Sequence, residues 1–167
     1  MIHSSNRLSM FSHLDEDGKV RMVNVSEKNA TPRMARARTT VHPGPKVLAA
    51  VREGDIHTAK GPVFQTAIIA GVMGAKRTSE LIPLCHPVGM NDCQIAIDIM
   101  GEEIVIECTA RVHARTGVEM EALTGATVAA LTLYDMCKSI SQDIIIGETK
   151  LMEKRGGKRD FLRESLR

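Results

Sequence analysis

A small set of charged and nucleophilic side chains could perform acid–base chemistry on an anionic small molecule. They are Lys60, Cys85, His86, Glu119, Glu121, Asp135 and Lys138. Lysines beside carboxylates and a histidine can move protons as general acids and bases, and several cations together can hold a polyphosphate. Asp135 and Lys138 are three residues apart, so on a helix they are neighbours that can pass a proton. The residue types indicate proton transfer on a phosphorylated metabolite.

Cys85 and His86 lie on a stretch that two prolines stiffen, Leu-Ile-Pro-Leu-Cys-His-Pro at residues 81–87. Proline fixes its own φ and pushes the preceding residue towards an extended conformation, so both side chains are held on a stiff segment. A histidine in such a loop is more often a structural residue than a ligand. No other cysteine or histidine lies at ligand spacing nearby, so the sequence predicts no metal site.

Three further cations lie on segments without an apolar period. Arg33 and Arg36 fall within residues 26–45, and Lys158 falls within residues 154–167. The first segment contains prolines and threonines and the second contains a glycine pair, so we predict a mobile arm and a mobile tail. The cations are either solvated surface charges or groups that close over an anionic ligand, and the sequence leaves both interpretations open.

One long helix, predicted over residues 117–138, must position Glu119, Glu121, Asp135 and Lys138. Ala, Leu, Met and Glu dominate the stretch and proline is absent, which favours a helix. Its middle carries only apolar, small or threonine side chains, which predicts burial on most sides. The glutamates suit the positive end of the helix dipole and the lysine suits the negative end. An acid is unfavourable near the negative end of a helix, so we expect Asp135 to contact a basic partner, to bind a ligand or to take part in catalysis.

The remaining elements follow from turn signals and hydrophobic periods. We predict a hairpin of strands at 8–14 and 19–25, a short helix at 46–53, a second helix from Lys60-Gly61-Pro62 through Gly74, strands at 92–100 and 104–112, and a last strand at 143–153. From Val20 onward the order is strand, helix, strand, strand, helix, strand. This order predicts an α+β, ferredoxin-like βαββαβ fold: an antiparallel sheet with helices packed on one face, plus an N-terminal hairpin.

Size and composition limit the classes of protein. A length of 167 residues predicts one domain spanning residues 1–167. Four cysteines without a Cys-x-x-Cys pair, and an amino terminus without an apolar leader, predict reduced thiols and a cytoplasmic protein without a membrane span. A net charge of +2 and only four aromatic side chains argue against a nucleic-acid partner, because unpaired bases stack on aromatics.

Three long motifs resemble the molybdenum cofactor biosynthesis protein C (MoaC) family, the cyclic pyranopterin monophosphate synthases. They are Leu-Ile-Pro-Leu-Cys-His-Pro at 81–87, Gly-Val-Glu-Met-Glu-Ala-Leu-Thr at 117–124 and Ala-Ala-Leu-Thr-Leu-Tyr-Asp-Met-Cys-Lys at 129–138. The resemblance extends from about residue 8 to about residue 161. Pro62 departs from it, because relatives often carry an acidic residue there.

The resemblance implies a ferredoxin-like fold and a homo-hexamer built as three dimers. It also implies conversion of a cyclised dihydro-GTP into cyclic pyranopterin monophosphate with release of pyrophosphate. The functional positions that it implies are Lys60, Leu84, Cys85, His86, Glu119, Met120, Glu121, Asp135 and Lys138. No cofactor is required by the resemblance, and the sequence leaves open whether Mg²⁺ accompanies the substrate triphosphate.

Residue types then suggest a division of roles. Asp135 and Lys138 would shuttle a proton, Lys60, His86 and the arginines would neutralise the triphosphate, and the two glutamates would accept hydrogen bonds from a guanine-derived ring. Glu121 and Asp135 are about 21 Å apart along a helix. A single nucleotide reaches both more easily if a partner's helix packs alongside in the opposite direction, so we predict active sites shared between subunits.

Two other classes of function remain open. A non-catalytic ferredoxin-like module that senses a nucleotide would need cations and hydrogen-bonding groups, but it would not need Asp135 beside Lys138. An RNA-binding sheet is disfavoured by the scarcity of aromatic side chains.

Overall fold

The computed structural model of the chain describes residues 19–164. Within that range eight strands and four helices follow one another: β1 Thr31–His42, α1 Gly44–Leu48, β2 Val51–Arg52, β3 Asp55–Thr58, β4 Gly61–Pro62, α2 Val63–Lys76, α3 Thr78–Leu81, β5 Asp92–Met100, β6 Glu103–Ala114, α4 Glu119–Cys137, β7 Ile145–Arg155 and β8 Phe161–Leu162. None of the helices in this range is long and apolar enough to span a membrane.

The main sheet has five strands in the order β5-β6-β1-β7-β8, and every neighbouring pair is antiparallel. The helices α2 and α4 pack against each other and against one face of this sheet. Taken along the chain, β1, α2, β5, β6, α4 and β7 form the predicted βαββαβ unit. The ferredoxin-like fold class is therefore confirmed, with a small three-stranded sheet of β2, β3 and β4 added beside it.

The first strand of the unit is not where the sequence predicted it. Residues 26–45, predicted to be a mobile arm, contain β1, which lies between β6 and β7 in the centre of the sheet. Its buried face consists of Ala35, Ala37, Thr39 and Val41. Small and polar side chains give a weak hydrophobic pattern, so the sequence of this segment does not indicate a strand. The strand forms because β6 and β7 pair with it.

The predicted N-terminal hairpin is wrong in its second half. Residues 19–25 form no strand beyond an isolated bridge at Val20, and residues 8–14 lie outside the described residues. The short helix predicted at 46–53 ends at Leu48, since the chain then turns into β2 and passes through Gly54 with φ of 81°. The tail predicted at 154–167 is structured in part, because β7 continues to Arg155 and β8 pairs with it.

The contact between α2 and α4 depends on glycine. A β-carbon at Gly71 would lie 2.9 Å from the carbonyl oxygen of Gly125 and 3.1 Å from the Cβ of Ala129. Backbone cannot yield as a flexible side chain does, so the helices approach closely only while position 71 has no side chain. This close approach fixes α4, the helix that carries most of the candidate site residues.

We expect Gly71→Val to lower the free energy of unfolding by about 1–3 kcal/mol, since it overpacks this contact. Urea unfolding of the purified protein measures the effect. Gly89→Val is the matched control: position 89 has no neighbour within 4 Å and no left-handed φ, so its change should stay within about 0.5 kcal/mol. Equal stability of the two variants would contradict a tight helix crossing.

Candidate active site

Lys60, Asp135 and Lys138 meet in one hydrogen-bonded cluster. The Lys60 ammonium donates to Asp135 Oδ2 at 2.6 Å and to the Asp135 carbonyl oxygen at 3.1 Å. Lys138 Nζ lies 2.8 Å from Asp135 Oδ1. The two lysines therefore bind opposite oxygens of one carboxylate, although one comes from the β3–β4 turn and the other from the end of α4. The partner expected for Asp135 from the sequence is therefore this pair of lysines.

The cluster holds its charges firmly at neutral pH. Hydrogen bonds from Lys138 first and Lys60 second lower the pKa of Asp135 to about 2. The same contact with Asp135 raises the pKa of Lys138. All three side chains are about half exposed, at 51%, 53% and 51%, so solvent and a ligand can reach them. A half-exposed carboxylate between two cations leaves a net positive charge that suits an anion.

We expect the Asp135 carboxyl group to titrate near pH 2 in carbon-13 NMR. Lys138→Met should move the midpoint upward, because it removes the largest cause of the lowered pKa, and Lys60→Met should move it upward by less. The titration is read on selectively labelled aspartate. An unchanged midpoint in both variants would show that the two lysines do not contact this carboxylate in solution.

A separate cavity of about 370 Å³ lies at the other end of α4. The chain brings together all of the predicted binding residues from the 81–87 and 117–124 motifs, and Lys158 as well. The lining consists of Val23, Val25, Lys28, Leu84, Cys85, His86, Thr116, Gly117, Glu119, Met120, Glu121 and Lys158. This lining combines apolar side chains with charged groups that can fix the orientation of a small molecule.

Glu121 is the most deeply placed charged group of this cavity, at 4% exposure. Burial raises its pKa, and repulsion from Glu119 adds to the effect. Burial also raises the pKa of the Cys85 thiol, with a further contribution from the charge of Glu121. A raised pKa leaves less of the nucleophilic thiolate, and Cys85 forms part of the cavity wall.

His86 connects the cavity wall to the segment before β1. Its Nε2 lies 2.7 Å from the carbonyl oxygen of Val23, and a neutral or protonated imidazole can donate this hydrogen bond from Nε2. Val23 and Val25 both line the cavity. The backbone of this segment therefore covers one side of the cavity.

A smaller cavity of about 200 Å³ adjoins the first and is strongly basic. Arg33, Lys154 and Lys158 line it together with Glu119, which accepts a hydrogen bond from Lys154 Nζ at 3.0 Å. Arg33 donates from Nε to the carbonyl oxygen of Ala114 at 3.1 Å. The first cavity shares Glu119 and Lys158 with this one, so a ligand can lie across both.

Arg36 is the one predicted site residue whose side chain lies on the far side of the sheet from the candidate site. It alternates with the buried face of β1 and points to the opposite side of the sheet, where it pairs with Glu107 at 3.5 Å and Glu153 at 3.3 Å. Its interpretation as a mobile group that closes over a ligand is not supported by this position. The sequence could not distinguish Arg33 from Arg36 because the register of β1 was not apparent.

Lys154 and Lys28 are site residues that sequence reasoning missed. Lys154 pairs with Ala35 across β1 and β7, which places it on the helix side of the sheet beside the start of α4. The signal that could have found it is Glu119, an acid that needs a basic neighbour. Among residues 19–164, no cluster of three acidic, histidine or cysteine side chains could hold a metal ion.

Comparison with known proteins matches most of the chain to one family. The sequence model of the MoaC family matches residues 22–157. A cyclic pyranopterin monophosphate synthase of Xanthomonas campestris pv. campestris (strain 8004) is 53% identical over 151 residues, covering 90% of this chain and 92% of the relative. One of Xanthomonas axonopodis pv. citri (strain 306) is 51% identical over 159 residues, covering 95% and 96%. Molybdenum cofactor biosynthesis protein 1 of Drosophila melanogaster is 48% identical over 158 residues, covering 93% of this chain and 28% of that longer protein.

Proposed function

The chain belongs to the MoaC family, and on that premise we propose that its site catalyses the reaction for which its relatives are named. It is a cyclic pyranopterin monophosphate synthase, a lyase of molybdenum cofactor biosynthesis. The substrate that we propose is 3',8-cyclo-7,8-dihydroguanosine 5'-triphosphate, the cyclised dihydro-GTP, which loses pyrophosphate. The observation that carries the proposal is the Lys60–Asp135–Lys138 cluster, two ammonium groups on one ionised carboxylate.

The protonation states of this cluster refine the proposed roles. With a pKa of about 2, Asp135 is ionised at neutral pH and has no proton to give. Lys138, whose pKa is raised, carries a proton at the same pH. Of this pair, only Lys138 can donate a proton at neutral pH. We propose that Asp135 holds its ammonium in place and that Lys60 stabilises negative charge as the ribose hydroxyl attacks the α-phosphorus and pyrophosphate leaves.

The cavity at the start of α4 supplies the other half of the site. Glu121 and Glu119 can accept hydrogen bonds from the N–H groups of a guanine-derived ring. Arg33, Lys154 and Lys158 line the adjoining basic cavity and provide cations for phosphate oxygens. Any Mg²⁺ in the reaction would arrive with the substrate triphosphate, since the protein side supplies cations rather than a cluster of carboxylates at this point.

We propose that each complete site is formed by two subunits. Met120, Leu131 and Asp135 lie within about 60° of one another around α4, and Met120 and Leu131 are exposed at 37% and 54%. Ile69 and Met73 of α2 are exposed apolar groups as well. We call the Lys60–Asp135–Lys138 cluster and the cavity at the start of α4 the two half-sites. Exposed apolar side chains between them suit contact with a second copy of the chain. A homo-hexamer of three dimers is the assembly that we propose.

The cytoplasm is the location that we propose for this enzyme. Its substrate derives from a cellular nucleoside triphosphate, and the four cysteines Cys85, Cys93, Cys108 and Cys137 are free thiols. Free thiols are typical of a reducing compartment.

One assay tests the proposed reaction. We expect the purified protein to release pyrophosphate from the cyclised dihydro-GTP and to form cyclic pyranopterin monophosphate, detected by coupled phosphate release and by chromatography. Absence of both products, with a folded protein, would contradict the proposal. The Asp135→Asn variant separates the enzyme from a nucleotide-sensing module without catalytic activity. Binding that survives in calorimetry while turnover disappears would favour the enzyme.

A further inference from the structure

The carboxylate of Asp55, at the start of β3, bonds to the chain on both sides of Lys60. Its Oδ1 accepts hydrogen bonds from the N–H groups of Ile56 at 2.6 Å and Phe64 at 2.7 Å, and its Oδ2 lies 3.4 Å from the N–H of Gln65. Phe64 and Gln65 belong to the first turn of α2, whose N–H groups have no partner within the helix. The chain from Asp55 to Phe64 is thereby closed into a loop with Lys60 near its tip.

The helix α2 has no cap of its own. Pro62 occupies the N-cap position with φ of −72° and ψ of 127°, and no side chain at that position bonds to the first turn. Helices usually receive this hydrogen bond from a Ser, Thr, Asp or Asn at the N-cap itself. Here Asp55 supplies it from a neighbouring strand, so the cap also ties β3 to α2.

The base of this loop packs against the end of α4. Ile56 and Phe64 share one buried cluster with Met136 and Cys137. Burial raises the pKa of the Cys137 thiol to about 11, and the negative charge of Asp55 contributes to the rise, as expected for a carboxylate close to the last residue of α4. The loop that carries Lys60 is thus fixed at its base beside the helix turn that carries the acid and lysine of the cluster.

The tip of the loop has hydrogen bonds of its own. The N–H of Lys60 donates to Thr58 Oγ1 at 3.2 Å, and Thr58 pairs with Gly61 between β3 and β4. Gly61 has φ of 109°, a conformation that L side chains rarely adopt. Because these contacts tie the tip to β3 and β4, we expect movement at the base of the loop to displace the Lys60 ammonium as well.

We propose that Asp55 is a positioning residue for the reaction: its carboxylate anchors the Lys60 loop to α2 and so holds the Lys60 ammonium on Asp135. The proposal rests on the proposed function for its effect on turnover. It also has a consequence that needs no substrate, the titration of the Asp135 carboxyl group.

The test compares Asp55→Ala with Asp55→Asn. We expect Asp55→Ala to lower kcat for the cyclised dihydro-GTP by about 10–100-fold, as a misplaced catalytic group does, with a smaller change in KM. Asp55→Asn should stay within about threefold of the wild type, because its amide oxygen still accepts hydrogen bonds from Phe64 and Ile56. In carbon-13 NMR, Asp55→Ala should raise the Asp135 pKa as Lys60→Met does.

Two further variants separate positioning from stability. Pro62→Ser in the Asp55→Ala background restores a local cap, because Pro62 already has the extended conformation of an N-cap. It should recover the melting temperature but not kcat or the Asp135 titration. Asn91→Ala removes another side-chain oxygen that accepts a backbone N–H, that of His113 at 2.8 Å. It should leave kcat and the titration unchanged.

Three results would overturn the proposal. Asp55→Ala with a wild-type Asp135 titration would show that Lys60 keeps its place without Asp55. Full recovery of kcat in the Pro62→Ser double variant would reduce Asp55 to a helix cap, and an equal loss of kcat in Asn91→Ala would mean general destabilisation. If the wild-type protein releases no pyrophosphate, the proposed function fails, while the titration still decides the role of Asp55.

Discussion

The Asp135→Ala variant is expected to turn over the cyclised dihydro-GTP at least about 100-fold more slowly than the wild-type chain, because the proton donor Lys138 loses the carboxylate that holds it and the loss of an acid–base group costs a factor of this order. The carboxylate is the only group that binds both Lys60 and Lys138 within the part of the chain that the structure describes. Without it, the two ammonium groups lose their common anchor and repel each other. Lys60→Ala and Lys138→Ala are expected to cause losses of the same order.

The control for this prediction is an ion pair of equal length elsewhere. Lys150 and Glu148 lie 2.6 Å apart, as Lys60 and Asp135 do, but on β7 outside the two half-sites. Lys150→Ala should leave turnover unchanged. All of these side chains are partly or largely exposed, so thermal melts should stay close to that of the wild type. Near-normal turnover in any variant of the cluster would remove that residue from the mechanism.

Mixing two inactive variants is expected to restore activity. Glu121→Ala damages the half-site at the start of α4 and Asp135→Ala damages the half-site at its end. If each complete site takes one half from each subunit, a mixed dimer contains one intact site. Random exchange between equal amounts should then return about one quarter of the wild-type turnover, because half of the dimers are mixed and each has one working site of two.

The matched control mixes Asp135→Ala with Lys138→Ala. Both substitutions fall in the same half-site, so no pairing of subunits produces an intact one, and no recovery is expected. Subunit exchange is verified by native mass spectrometry of subunits that differ in isotope content. Verified exchange without recovery in the first mixture would place Glu121 and Asp135 in sites built by a single chain.

The sequence predicted the elements with strong periods and missed those that depend on distant partners. β5, β6 and α4 lie within two residues of their predicted bounds, because alternating isoleucines and an uninterrupted alanine-rich stretch are local signals. β1 was missed because Ala35 and Ala37 resemble loop residues until β6 and β7 pair with them. Secondary structure that is imposed by tertiary partners cannot be predicted from the segment itself.

In the candidate site, too, the sequence predicted what depends on local spacing and missed what depends on distant partners. Asp135 and Lys138 are neighbours by helical spacing, which the sequence displays directly. The bond from Lys60 to Asp135 joins residues 75 positions apart, and it forms because the β3–β4 turn packs beside the end of α4. Lys154 was missed and Arg36 was included for one reason: the face of a strand on which a side chain lies is set by register.

The central position of β1 has a consequence for synthesis on the ribosome. Its partner β7 follows every other described helix and strand except β8, and Met34 pairs with Arg155, so one edge of β1 stays open until those intervening elements have been made. Pairing across such separations is slow, and an open edge invites association with other nascent chains. Arg36 and Arg38 lie on this strand, and charged side chains along an edge discourage such association. We expect Arg36 and Arg38 to discourage such association while the chain is being made, before they form ion pairs in the finished sheet.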